Sequence, residues 1–375
     1  MAVTFRSITL REIQLPLREP FTISSGTVST RRILLLHIDA GDGLHVWSEG
    51  VAGQYPNYSP ETIDTMWFAL SEWIAPRVIG HTFPSPQDVH DALQLDFRGH
   101  NMAKAAVEMA AWTIEAEQLG SSLSHTLGGT RSEVATGISL GIQPNPAALV
   151  EKARAARAEG YQKIKIKVGP DHDIQFIAAV RETLNADAPI MADANNAYTV
   201  VDFPILEELD DFDLVMIEQP LAWDDVVRHA ELQKLLKTPI CLDESITNVE
   251  RVKDMIALQS GRIVNIKPGR VGGFTESKRI HDLCAVHEIP VWCGGMLESG
   301  IGRAYNVALA SLNNFVIPGD ISPSARYWER DIVTPEWTMD QRGMVTVPDA
   351  AGIGVTVDEN RIDDVTVRTH TLIGQ

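Results

Sequence analysis

Five charged side chains recur in this sequence at a nearly constant interval. Lys167, Asp193, Glu218, Asp243 and Lys267 are separated by 26, 25, 25 and 24 residues, and each falls near the end of an otherwise apolar run. Taken singly, an Asp or Glu after a strand is more often the N-cap of the next helix. Three at one interval change that reading. Gathered at one place, three carboxylates repel one another unless a cation neutralises them. All-oxygen ligation with positions left for water and substrate suits Mg²⁺, with Mn²⁺ as the alternative, rather than zinc. Asp193, Glu218 and Asp243 are therefore the candidate metal ligands. The lysines suit proton transfer. Lys163, Lys165 and Lys167 alternate along one run; on an edge strand they would be solvated, but a closed barrel has no edge and must turn them inward. Crowded cations disfavour the protonated form, so Lys167 is expected to have a lowered pKa and to act as a base, and the same logic applies to Lys267 beside Arg270.

An interval of about 25 residues is one strand plus one crossover helix, and the sequence shows that alternation from about Glu133 onward. The expected strands are Val134–Ile142, Lys163–Val168, Pro189–Ala194, Leu214–Gln219, Pro239–Glu244, Arg262–Lys267, Pro290–Gly294 and Phe315–Gly319. Eight parallel strands close a barrel, and the active site of such a barrel lies where the C-terminal strand ends converge. Between them the helices carry ordinary signals: Asn145-Pro146 opens Pro146–Glu159, and Gly160 ends it. Before the barrel, Ile8–Leu15, Ile33–Ile38 and Leu44–Trp47 read as an antiparallel sheet with Gly41-Asp42-Gly43 as a turn, followed by helical stretches at Pro60–Trp73 and Met102–Leu119. The expected division is an α+β capping domain over 1–130, the barrel over 131–321, and a C-terminal segment, 322–375, that packs back on the capping domain.

The 375 residues suit a barrel of about 250 plus an accessory domain of about 100. A net charge of −18 repels phosphate backbones and anionic membrane surfaces, which argues against nucleic acid and membrane as partners. A metal ion or a few lysines still allow an anionic small-molecule substrate within one cleft. Three cysteines, Cys241, Cys284 and Cys293, make neither a disulfide framework nor a zinc site. No secretory signal pattern occupies Met1 to Leu17, and no segment approaches the ~18 uninterrupted apolar residues of a membrane span; the cytoplasm is the expected location, and a homo-oligomer the expected assembly.

Lys165-Ile166-Lys167, Asp193-Ala194-Asn195, Ile217-Glu218-Gln219-Pro220, Asp243-Glu244-Ser245 and Asn265-Ile266-Lys267-Pro268-Gly269-Arg270 together resemble the motif series of the muconate-lactonizing subgroup of the enolase superfamily. The resemblance covers nearly the whole chain and implies a modified (β/α)₇β TIM-like barrel, an α/β fold, with an N-terminal α+β capping domain. Within the subgroup, Trp292 to Arg303 and Pro318-Gly319-Asp320-Ile321-Ser322 most resemble the o-succinylbenzoate synthase / N-succinylamino acid racemase family. Met296-Leu297-Glu298 lacks the Asp-x-Asp pattern of dipeptide epimerases, and Val46-Trp47-Ser48-Glu49-Gly50 departs from the Gly-Trp-Gly-Glu pattern common in the capping domain.

The resemblance implies Mg²⁺-dependent α-proton abstraction from a carboxylate substrate, by dehydration, by racemisation of an N-acyl amino acid, or by both; muconate cycloisomerase and an epimerase for another acylated amino acid are the alternatives. It makes Lys167 and Lys267 the catalytic pair. Lys165, Ser139, Phe21, Tyr55, Gly295, Met296 and Leu297 are the expected substrate-binding residues, with Phe21–Thr27 and Gly53–Tyr58 closing over the pocket. Asn195, Glu244 and Arg270 are expected to orient the ligands and lysines from behind. Phe21 and Tyr55 serve equally well as interdomain packing. A non-catalytic barrel would have little reason to keep two lysines and three carboxylates, because buried unpaired charge is costly.

Overall fold

The computed structural model describes residues 2–24, 26–185 and 187–374. Ser25, which belongs to the Phe21–Thr27 loop, lies outside the described residues, as do Met1, Ala186 and Gln375. The N-terminal part begins with an antiparallel meander of β1 (Ser7–Ile23), β2 (Gly26–Gly41) and β3 (Leu44–Gly50). The turn between β2 and β3 places Asp42 at φ 53° and Gly43 at φ 80°, the left-handed pair that tight hairpins require. The unbroken apolar run Ile33–Ile38 has a simple cause: Leu34, Leu36 and Ile38 join the core of the cap, while Ile33 and Leu35 face the core shared with the barrel. A strand buried on both faces needs no polar alternation.

The helix Asn101–Leu119 is apolar nearly all round for the same reason. Met102, Ala106 and Ala110 face the cap core, and Ala105, Met109, Trp112 and Ala116 face the barrel core. Its run of alanines lets both layers approach closely.

Seven parallel strands then pair in chain order: β4 (Gly137–Leu140), β5 (Lys163–Lys167), β6 (Ile190–Asp193), β7 (Ile217–Glu218), β8 (Ile240–Leu242), β9 (Ile263–Ile266) and β10 (Val291–Cys293). Residues one barrel unit apart lie side by side, with Lys167 opposite Asp193 and Asp193 opposite Glu218. The helix Pro146–Ala158 starts as the sequence indicates: the Asn145 side chain accepts from the Ala148 N–H and Pro146 takes the first turn.

Two strand expectations need correction. Val134–Ile142 is not one strand. Glu133–Ala135 pairs antiparallel with Met344–Thr346, and only Gly137–Leu140 enters the barrel. Phe315–Gly319 is not a strand at all. Pro318 has no N–H to give to a ladder, and Val316 turns outward, 58% exposed. The segment still closes the ring through single bridges, Phe315 to Val291 on one side and Gly319 to Thr136 on the other. Gly137 N–H donates to Gly319 O at 2.6 Å, and Asp320 N–H to Cys293 O at 2.9 Å. Farther on, β11 (Thr366–Ile373) lies antiparallel against β1.

Candidate active site

The strand ends bring the regularly spaced charges together beneath a cavity of about 680 Å³ between barrel and cap. Lys167, from the second strand of the ring, donates to Asp193 Oδ2 and to Asn195 Oδ1, both at 2.5 Å. Lys165 lies deeper, with its ammonium 2.7 Å from Asp193 Oδ2 and 2.7 Å from Glu218 Oε2. Lys267, after the sixth strand, donates to Asp243 Oδ2 at 2.8 Å, and Arg270 holds the other oxygen of the same carboxylate. Asp193, Glu218 and Asp243 are fully buried. Behind them, Asn265 donates to Glu218 Oε1 at 2.7 Å, Gln219 Oε1 accepts from the N–H groups of Asp243 and Ser245, and Asn195 donates to Glu244 Oε1 at 3.0 Å.

These contacts set the lysines apart. Burial, reinforced by the neighbouring Lys165 ammonium, lowers the Lys167 pKa against the pull of Asp193. Burial opposes the charge on Lys165 as well, but Asp193, Glu218 and Asp320 outweigh it and hold its pKa well above the ordinary lysine value. Lys267 corrects the sequence expectation. Burial again works against its charge, yet the Tyr58 oxygen, Glu218 and Glu244 raise its pKa rather than lower it. Crowding by cations, which the sequence suggested for both lysines, is only the secondary influence at Lys167.

The cavity is lined by Phe21, Tyr55, Ser139, Lys165, Lys167, Asn195, Lys267, Gly295, Met296 and Leu297, all of them sequence-predicted. Glu244 and Arg270 are buried beneath it. Tyr55 sits on the outer rim, 65% exposed, and Tyr58 is the tyrosine that reaches the charged floor: its hydroxyl accepts from Lys267 at 3.0 Å and donates to Asp243 Oδ1 at 3.3 Å. Arg31 also lines the cavity and donates to Val51 O and Ala52 O, anchoring the start of the Gly53–Tyr58 loop. Neither residue stood out in the sequence. Asp320, a third addition, follows the irregular segment that closes the ring; its place two barrel units beyond Lys267 was the available signal.

Residues 148–361 match the family model described as enolase C-terminal domain-like, and residues 5–128 match the mandelate racemase / muconate lactonizing enzyme N-terminal domain. The chain belongs to the enolase superfamily. Among its relatives within that superfamily, o-succinylbenzoate synthase from Geobacillus stearothermophilus is 47% identical over 366 residues, covering 98% of this chain and 97% of the relative. N-succinylamino acid racemase from Thermus thermophilus is 44% identical over 358 residues, 96% of each chain. A crystal structure of an enolase-superfamily member from Listeria innocua superposes with a TM-score of 0.95 at 39% identity, covering 99% of both chains.

Enzymes of the enolase superfamily combine a Lys or His base with one or two Mg²⁺ ions that stabilise an enediolate. Among the described residues, no three Asp, Glu, His or Cys groups stand close enough to hold an ion as they are arranged. Ammonium and guanidinium groups lie on the carboxylates instead. The donor set nevertheless fits a hard divalent cation: three buried carboxylates on consecutive strands, with Glu218 Oε2 accepting no directed hydrogen bond although the Lys165 ammonium is 2.7 Å away.

Proposed function

We propose that this enolase-superfamily enzyme removes the α-proton of a carboxylate substrate, with Lys167 as the base, in o-succinylbenzoate synthesis, in racemisation of N-succinyl or other N-acyl amino acids, or in both. The observation that carries the reading is the placement of Lys167 and Lys267. Lys167 ends the second strand of an eight-position ring, Lys267 follows the sixth, and both line the same cavity, an arrangement that would put one ammonium on each face of a substrate bound between them. Asp193, Glu218 and Asp243 would hold the cation, Mg²⁺ with Mn²⁺ as the alternative, and the cation would bind the substrate carboxylate and offset the charge that develops on it.

Lys167 takes the proton from one face. In a syn dehydration Lys267 remains an ammonium and stabilises the intermediate by its charge; in racemisation it delivers a proton to the other face. Asn195 and Glu244 steady Lys167 and its partner carboxylate, and Arg270 steadies Asp243. Ser139 Oγ is buried beside the cavity without a hydrogen-bond partner, an open polar group for the acyl end of the substrate. Phe21, Gly295, Met296 and Leu297 shape the apolar wall, with Tyr55 at the rim. Residues 1–130 would cap the mouth, 131–321 carry the reacting groups, and 322–375 tie the barrel back to the cap. A cytoplasmic homo-oligomer acting on a small molecule is the setting we propose; no helix among the described residues is long and apolar enough to cross a membrane.

The test is a parallel assay of the o-succinylbenzoate precursor and a panel of N-succinyl and N-acetyl amino acids, with Mg²⁺ and with chelator. Loss of water from the first or loss of optical activity in the second, abolished by chelator, supports the reading. Activity that survives the chelator, or activity on neither class of substrate while muconate added to the panel is turned over, overturns it.

A further inference from the structure

We propose that Asp320 is a positioning residue for cation binding: it draws the Lys165 ammonium off Asp193 and Glu218 so that those carboxylates can serve a divalent ion. The inference rests on the reading of Asp193 and Glu218 as ligands. Lys165 is the cation shared by three carboxylates. Its ammonium is 2.7 Å from Asp193 Oδ2, 2.7 Å from Glu218 Oε2 and 3.3 Å from Asp320 Oδ2. An ion taking the first two would leave a buried ammonium facing a like charge, unless an anion outside the ligand set keeps it. Asp320 is that anion.

Its seat is built for the purpose. Asp320 is 5% exposed, its N–H donates to Cys293 O at 2.9 Å, and its carbonyl accepts from Arg303 Nη1 at 2.8 Å. Gly295 is required beside it, since a Cβ there would stand 2.8 Å from the Asp320 carbonyl oxygen. The carboxylate has capacity in reserve. Asp320 Oδ1 accepts no hydrogen bond, and 3.7 Å away the buried Lys163 ammonium has no hydrogen-bond partner of its own. Asp320 is thus placed between two cations from one strand, 3.3 Å from the Lys165 ammonium and 3.7 Å from that of Lys163, and outside the set of three candidate ligands.

Isothermal titration of the full chain with Mg²⁺, without substrate, tests this. Asp320→Asn is expected to weaken Mg²⁺ binding about tenfold while Lys165 is present and far less in a Lys165→Met background, because the effect acts through that ammonium. Asp320→Glu should recover part of the affinity, which a purely space-filling role would not. An unchanged affinity in Asp320→Asn, or an equal loss in both backgrounds, overturns the proposal while leaving the ligand assignment standing. Absence of Mg²⁺ binding by the unmodified protein overturns both. Should Asp320→Asn not fold by circular dichroism, Lys165→Met alone decides: removing the competing ammonium should raise Mg²⁺ affinity, and a fall contradicts the idea.

Discussion

Lys267 and Lys167 share a cavity but have different neighbours, and the difference bears on what each can do. Lys267 touches Asp243 and Tyr58 and keeps its charge firmly, whereas burial and the Lys165 ammonium loosen the proton on Lys167. Lys267→Arg retains a cation but gives up an exchangeable proton of suitable acidity. It is expected to depress racemisation by about 10²–10⁴-fold and dehydration substantially less, as read by measuring both rates on one preparation; equal losses would show that proton delivery and charge are not separable at this position. The five evenly spaced charges were legible because a barrel repeats one strand and one helix per unit. Tyr58 was not, because the Gly53–Tyr58 loop has no period to say which tyrosine points inward. Asp320 was hidden for a related reason: its segment closes the ring through isolated bridges, without a strand's alternation.

At the scale of elements, cap and barrel are joined by polar contacts as well as by the alanine-rich helix. The cap helix Pro86–Gln94 places His90 against the barrel helix Phe274–Val286, where Arg279 Nη1 lies 3.1 Å from His90 Nε2. That geometry requires a neutral imidazole as acceptor, in agreement with burial and the Arg279 charge pushing His90 down to about 4. In the unfolded chain a histidine titrates near 6.5. As pH falls from about 6.5 to about 4 the unfolded state gains a proton that the folded state refuses, so stability present above 6.5 is lost progressively over that window. His90→Gln offers an acceptor that does not titrate; its Tm deficit relative to the unmodified protein should shrink between pH 7 and pH 4, and a constant deficit would assign no pH dependence to this contact. The helix Pro146–Ala158 and the parallel strands were legible from caps and period. The eighth strand was not, because an apolar run carrying Pro318 reads alike whether it pairs along its length or only at its ends.

For the whole molecule, the tail carries weight out of proportion to its length. β11 covers the edge of β1, Arg368 donates to Glu12 Oε2 at 3.0 Å, and its guanidinium lies 3.8 Å from the centre of the Trp67 ring. Deleting 366–375 uncovers an edge strand of the cap sheet and removes these contacts. The expected result is a Tm lower by on the order of 5–10 °C and association of the truncated chain on size-exclusion chromatography; an unchanged melt would mean that the edge is held from elsewhere. The architecture of barrel plus cap was readable from the shift in texture near Glu133. The return of the final strand to β1 was harder to read, since a short valine-rich segment does not announce its partner.

The central claim is that Lys167 removes an α-proton in a cation-dependent site, and exchange of that proton with solvent deuterium measures it most directly. Proton NMR of each enantiomer of an N-succinyl amino acid in D₂O with Mg²⁺ should show loss of the α-proton signal with the unmodified protein, none for the enantiomer whose α-proton faces Lys167 with folded Lys167→Ala, and none for either with chelator added. Exchange of both enantiomers that persists in Lys167→Ala, or any exchange in the presence of chelator, would contradict the account.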